Sequence, residues 1–134
     1  MFVDEPGLQF LFSAMAGYGD EATLGDMETF FSMIDRPRGV HLCGNPDSDF
    51  VLGQDLDILS IDVYTNGELF PLYGSSIRRS SELRGILVWG IVPTNFEHFE
   101  KENMASLEKR LEEMWLSLQK RGIDLELLLS QSML

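Results

Sequence analysis

The sequence predicts an α/β fold, a partial (β/α)8 barrel of about half length with parallel strands and open edges. Three observations lead there. Apolar runs rich in Val and Ile recur at fairly even intervals, and each is followed by a longer stretch with helical spacing. The clearest run, "GILVWGIVP", is almost continuously apolar, as in a parallel strand covered on both faces. At 134 residues the chain is the size of one ordinary domain, whereas a full barrel takes about 250 residues. A single partial-barrel domain over residues 1–134 is therefore expected.

Taken in order, "MFVDEP" reads as a first strand that stops where Pro6 removes an amide donor. "GLQFLFSAMAGY" and "LGDMETFFSMI" carry apolar residues at helical spacing, with Gly17, Gly19 and Asp20 between them. "RGVHLCG" is the second strand, Asn45-Pro46 opens a loop, and a short helical turn surrounds Phe50 to Leu52. "DILSIDVY" is the third strand, and Asn66-Gly67 marks the turn after it. Residues 68–84 read as helical, although Pro71 and Gly74 leave the start open. "GILVWGIVP" is the fourth strand. From Phe96 to Arg121 the spacing predicts one long helix, with Leu107, Leu111, Met114, Trp115 and Leu118 on one stripe, stopped by Gly122. "IDLELLLSQSML" gives a helical turn and the start of another strand.

Composition narrows the function. With 10 Lys+Arg against 22 Asp+Glu and a net charge of -12, the surface repels phosphate backbones, so nucleic acid is not an expected partner. Arg78, Arg79 and Arg84 form a local basic cluster whose ordinary reading is a solvated helix face. No run reaches the roughly 18 apolar residues of a membrane span. "MFVDEPGLQF" has acids where a signal peptide carries positive charge. A cytoplasmic location without a membrane partner is expected, and the single cysteine excludes an intramolecular disulfide. Open parallel edges invite pairing with another chain, so either a homo-oligomer or complementing half barrel, or a small open sheet, is expected.

In parallel βα folds chemistry sits at the carboxyl ends of the strands. The first strand ends in Asp4-Glu5, the second in His41-Leu42-Cys43, the third in Asp62-Val63-Tyr64 and the fourth in Trp89-Gly90. Side chains two apart on a strand point the same way, so His41 and Cys43 share a side. With Asp62 from the next strand the donors are N, S and O, a set that suits zinc. The plain alternative is a buried thiol beside a hydrogen-bonded histidine. Asp4 and Glu5 have a plain reading too, as caps of a following helix. Trp89 reads as core, and His98 as solvated or capping.

The segments "FVDEPGLQF", "GVHLCGNPDSDFVL", "DILSIDVYTNGELF" and "GILVWGIVPTN", in that order, resemble the C-terminal half of proteins in the uroporphyrinogen decarboxylase and cobalamin-independent methionine synthase superfamily. The resemblance covers nearly the whole chain. In its methionine synthase branch it implies that Asp4 and Glu5 bind the amino-acid substrate and that His41 and Cys43 are zinc ligands. Asp62, one methylene shorter than the family's glutamate, would be the third ligand and a catalytic residue. The implied activity is zinc-dependent methyl transfer from a small methyl donor to a thiol such as homocysteine. The family's further cysteine and the first half of its barrel have no counterpart in these residues, so the lone chain is expected to leave the site incomplete. A non-catalytic half-barrel module is the second expectation. A decarboxylase-like or corrinoid-linked relative ranks below both, because the basic residues are few and mostly helical.

Overall fold

The computed structural model describes residues 1–5, 20–44, 48–82 and 85–134. Five strands form one sheet: β1 (Phe2–Glu5), β2 (Gly39–Leu42), β3 (Ile58–Asp62), β4 (Ile86–Gly90) and the two-residue β5 (Ser132–Met133). They lie side by side in chain order and every pairing is parallel. Between them run α1 (Asp20–Ser32), α2 (Ser48–Leu52), α3 (Val63–Asn66), a 3-10 turn (Phe70–Tyr73), α4 (Gly74–Glu82), α5 (Phe96–Phe99), α6 (Met104–Lys120) and α7 (Leu125–Ser130). Parallel crossovers are right-handed, so strands laid down in one direction carry their connecting helices on one face.

Burial follows that rule. Val40, Leu42, Leu59, Ile61, Leu87 and Trp89, which alternate along β2 to β4, are all buried. Their neighbours on the opposite face, His41, Ile58, Asp62, Ile86, Val88 and Gly90, are only half-buried. On β4 the two faces are covered unequally, with Leu87 and Trp89 buried and Ile86 and Val88 half-buried. Its apolar run is continuous in sequence, yet only Leu87 and Trp89 point into the helix layer.

Trp89, 1% exposed, anchors that layer. Its ring meets Phe70 edge-on at 5.6 Å and Trp115 at 6.3 Å. Its indole N–H donates to Ser132 Oγ at 2.8 Å, and Ser132 donates in turn to the Leu128 carbonyl at 2.7 Å. A buried indole needs such a partner, and here the partner ties β5 to β4.

The long helix expected from Phe96 to Arg121 is two helices. Asn103 adopts an extended backbone, accepts from the Ser106 amide, and has its own amide capped by Ser106 Oγ at 2.9 Å. This reciprocal pair satisfies amides that a helix start leaves open, so α6 begins afresh at Met104. Leu111, Met114 and Leu118 form its buried stripe. It ends where Gly122 takes φ +84°, a conformation that a side chain disfavours.

At the amino ends of β2 and β3, Arg36 bridges Asp55 and Asp57, and Arg38 pairs with Asp55 at 2.8 Å. The Arg38 amide also donates to Asp57 at 2.7 Å. Burial alone would push the Asp57 carboxyl up, but the bonds from Arg38 and Arg36 and their charges hold it below its usual value. Charge at this end is spent on holding strands together. The expected helix over "GLQFLFSAMAGY", the Asn45-Pro46 loop, Pro6 and Arg84 lie outside the described residues. Arg78 is exposed and donates to the Gly122 carbonyl at 3.1 Å, a helix tether. No helix among the described residues is long and apolar enough to cross a membrane.

Candidate metal centre

Parallel register places the site. Val3 pairs with Val40, which sets Asp4 opposite His41, and His41 in turn lies opposite Ser60. In-register residues of parallel strands point to the same face, so Asp4, His41 and Ser60 form a polar row on the less covered side of the sheet. Cys43 follows directly after β2 and, two residues beyond His41, joins that side. Gly44, at φ +87°, then turns the chain away immediately. Asn66 fastens this turn by donating to the Gly44 carbonyl at 3.1 Å.

One ligand atom each from Asp4, His41 and Cys43 lies within 4.8 Å of the other two. The Cys43 thiol donates to Asp4 Oδ1 at 3.4 Å. Donors around a tetrahedral zinc, with bonds of about 2.0–2.3 Å, stand roughly 3.3–3.8 Å apart, so this edge already has the right length. The set is one oxygen, one nitrogen and one sulfur, which zinc accepts and which the harder magnesium and calcium do not favour. Three protein donors leave one position of a tetrahedron for a further ligand.

The site's electrostatics are acidic. The hydrogen bond to Asp4 holds the Cys43 thiol above its ordinary pKa, helped by partial desolvation and by the charges of Asp4 and Asp62. His41 Nδ1 lies 3.0 Å from Ser60 Oγ, which leaves Nε2 as the ring nitrogen free of that contact.

The geometry brings one of the expected site residues into the group and leaves another out. Asp4, expected on the substrate side, joins His41 and Cys43, whereas Asp62, expected as a metal ligand, stands outside the group. Asp62 ends β3 with an extended backbone, and its Oδ1 accepts from the Thr65 amide at 3.0 Å as the N-cap of α3. Its charge still reaches Cys43. Glu5 closes β1, and its side chain lies outside the described set. A signal for Asp4 was present in the sequence: aligning the Val of "FVDE" with the Val of "GVHL" puts the acid opposite the histidine.

The loop leaving Asp62 is held by a second polar group. Tyr64 donates to Glu102 Oε1 at 2.9 Å, Arg110 reaches the same oxygen at 3.1 Å, and Ser106 donates to Oε2. The Arg110 guanidinium lies 4.9 Å above the Tyr64 ring, and His98 packs against that ring at 5.8 Å. Bonds from Ser106 and Tyr64, then the Arg110 charge, hold Glu102 below its usual pKa despite burial. Burial and the Glu102 bond push the Tyr64 phenol up. These groups clamp α3 to α6 beside an open concavity of about 360 Å3, floored by Val63 and Met114. No family model, curated protein or solved structure matches the chain.

Proposed function

We propose that the chain is a methionine synthase-like half barrel: a zinc-binding methyltransferase half domain acting on a small thiol. The observation that carries this reading is the meeting of Asp4, His41 and Cys43 at the carboxyl ends of β1 and β2. That is the end where (β/α)8 enzymes place their chemistry. Two of the four segments that resemble the superfamily, "FVDEPGLQF" and "GVHLCGNPDSDFVL", supply these strand ends. Strands in unbroken chain order, with their deeply buried residues on one face, support a segment of a barrel wall over a doubly wound sheet, whose order reverses at a switch point. On a barrel wall the less covered face, with Asp4, His41, Cys43 and Asp62, would be the interior.

Asp4, His41 and Cys43 would hold the zinc, and Asp62 would stand beside it with its charge. The chemistry zinc supplies when bound is to lower a thiol's pKa and keep it as the thiolate at neutral pH, ready for a methyl donor. Asp4 has two tasks in this arrangement. It accepts the Cys43 proton bond in the metal-free chain and offers the same oxygen once that proton leaves. Because the thiol's pKa is raised, zinc uptake should strengthen as pH rises from about 7 to 9, since thiolate is the binding form.

The test is zinc content per chain on protein purified without chelator, with the mass in solution recorded on the same sample. The expected result is close to one zinc per chain in the wild type and a loss of it in the double variant His41→Ala, Cys43→Ala. Equal zinc in both proteins would overturn the reading. With zinc established, methyl transfer to homocysteine is assayed with and without a second half barrel.

The open side of the sheet favours one other reading, a non-catalytic half barrel that assembles through its edges. Phe2 and Met133, on the two edge strands, are each more than half exposed. A zinc-free, well-folded dimer would support it, and methyl transfer by the purified chain would exclude it.

A further inference from the structure

Ser60 is the one buried polar residue among the described core positions, 8% exposed in the middle of "ILSID". Nothing in strand formation calls for a hydroxyl there. Its in-register neighbours are His41 on β2 and Val88 on β4. Its Oγ lies 3.0 Å from His41 Nδ1. A buried hydroxyl left without a partner is destabilising, so the pair has reason to persist.

The contact has a chemical consequence that depends on the histidine tautomer. Where the ring carries its proton on Nδ1, that N–H donates to Ser60 Oγ, and the lone pair on Nε2 is free. Where the proton sits on Nε2, the hydroxyl donates to Nδ1 and the outer nitrogen has no lone pair to offer. Only the first arrangement leaves a lone pair on Nε2, the nitrogen not engaged with Ser60. We propose that Ser60 is the positioning residue of the metal centre, holding the His41 ring with Nδ1–H toward its hydroxyl so that Nε2 is the metal-facing atom. This inference rests on the zinc reading above. It adds which nitrogen binds and which residue makes it so.

A hydroxyl suits the task because it accepts this N–H without adding charge. Asp4 and Asp62 already supply negative charge near Cys43. A carboxylate at position 60 would add a third acid to the group, buried beside the strands, where an unpaired charge is costly. The row Asp4–His41–Ser60 thus runs from an exposed acid through a ligand to a neutral support, each on its own strand and all in register. The register therefore sets His41 between two paired strands, with Asp4 on one side and Ser60 on the other.

The experiment uses the full chain as wild type, Ser60→Ala and Ser60→Thr. Two readouts are taken: 15N chemical shifts of the His41 ring, metal-free and with zinc, and the Zn2+ dissociation constant by chelator competition. The wild type should show Nδ1–H with zinc bound at Nε2. Ser60→Ala should weaken Zn2+ about 10–100-fold, the usual cost of losing such a support, and mix the ring tautomers. Ser60→Thr, which keeps the hydroxyl, should restore both readouts. Zinc on Nδ1, or unchanged affinity and tautomer in Ser60→Ala, overturns the positioning role while leaving the zinc reading intact. A wild-type chain that takes up no Zn2+ overturns the zinc reading and the role with it.

Discussion

The two faces of the sheet are built from the same strands and do opposite work. Residues that alternate one by one along β2, β3 and β4 go either into the helix layer or onto the half-covered side. The first set, from Val40 to Trp89, is apolar without exception. The second holds Asp4, His41, Ser60 and Asp62 among smaller apolar residues. Stability and chemistry are thereby separated by a single residue step, and a substitution should affect one or the other according to its parity.

The largest expected effect is on the helix side. Trp89→Ala should cost about 3–5 kcal/mol of unfolding free energy, read by denaturant titration, because it empties the centre of the Phe70–Trp115 cluster. Cys43→Ala should change stability by no more than about 0.5 kcal/mol, typical of substitutions away from the core, yet remove zinc uptake. A Cys43→Ala protein as damaged as Trp89→Ala would break the division.

Next comes the division of labour between two acids. Asp4→Ala should abolish zinc binding, whereas Asp62→Ala should keep zinc and lose about 1 kcal/mol through the uncapped α3. Both changes should also lower the Cys43 pKa, Asp4 more than Asp62, since removing a hydrogen-bonded acid acts more strongly than removing a nearby charge. The rate of iodoacetamide alkylation against pH reads this order directly.

A smaller effect belongs to the clamp at Glu102. Its folded pKa lies below the ordinary carboxylate value of about 4.3, so its contribution is present above that pH and fades as pH falls through the folded value. Tyr64→Phe removes one of the bonds responsible. Its stability deficit should therefore be visible at pH 6–7 and shrink below about pH 4. A deficit that is the same at both pH values would show that the Tyr64 bond does not depend on Glu102's charge.

Much of this layout was legible in the amino-acid order. β4 was plain because "ILVWG" is short, β-branched and bounded by glycines, and the α6 stripe was plain because Leu111, Met114 and Leu118 repeat at helical spacing. His41 and Cys43 were legible as a pair because strand alternation alone places them on one side. The break at Asn103 was hidden, since Phe96 and Phe99 continue the apolar rhythm across it even though both are exposed. That Asp4 rather than Asp62 lies with His41 and Cys43 was hidden for a different reason. Each acid lies at or next to a strand end, and which one faces the cysteine depends on register and on which acid caps a helix, both of them properties of pairs of segments.

The unbroken strand order bears on how the molecule forms. Every strand pairs with the one that precedes or follows it along the chain, so no pairing waits for a distant segment. Loop-closure entropy rises only with the logarithm of loop length, and the closures needed here are the short ones. Chains whose contacts are local fold faster than those that must join remote pieces. The sheet can therefore grow strand by strand as the polypeptide leaves the ribosome, with Asp4 and His41 brought together by the first pairing. The corner with Asp4, His41 and Cys43 would then exist before the helix layer over β4 and β5 is complete, and slow-exchanging amides should fade outward from β3 toward both edges.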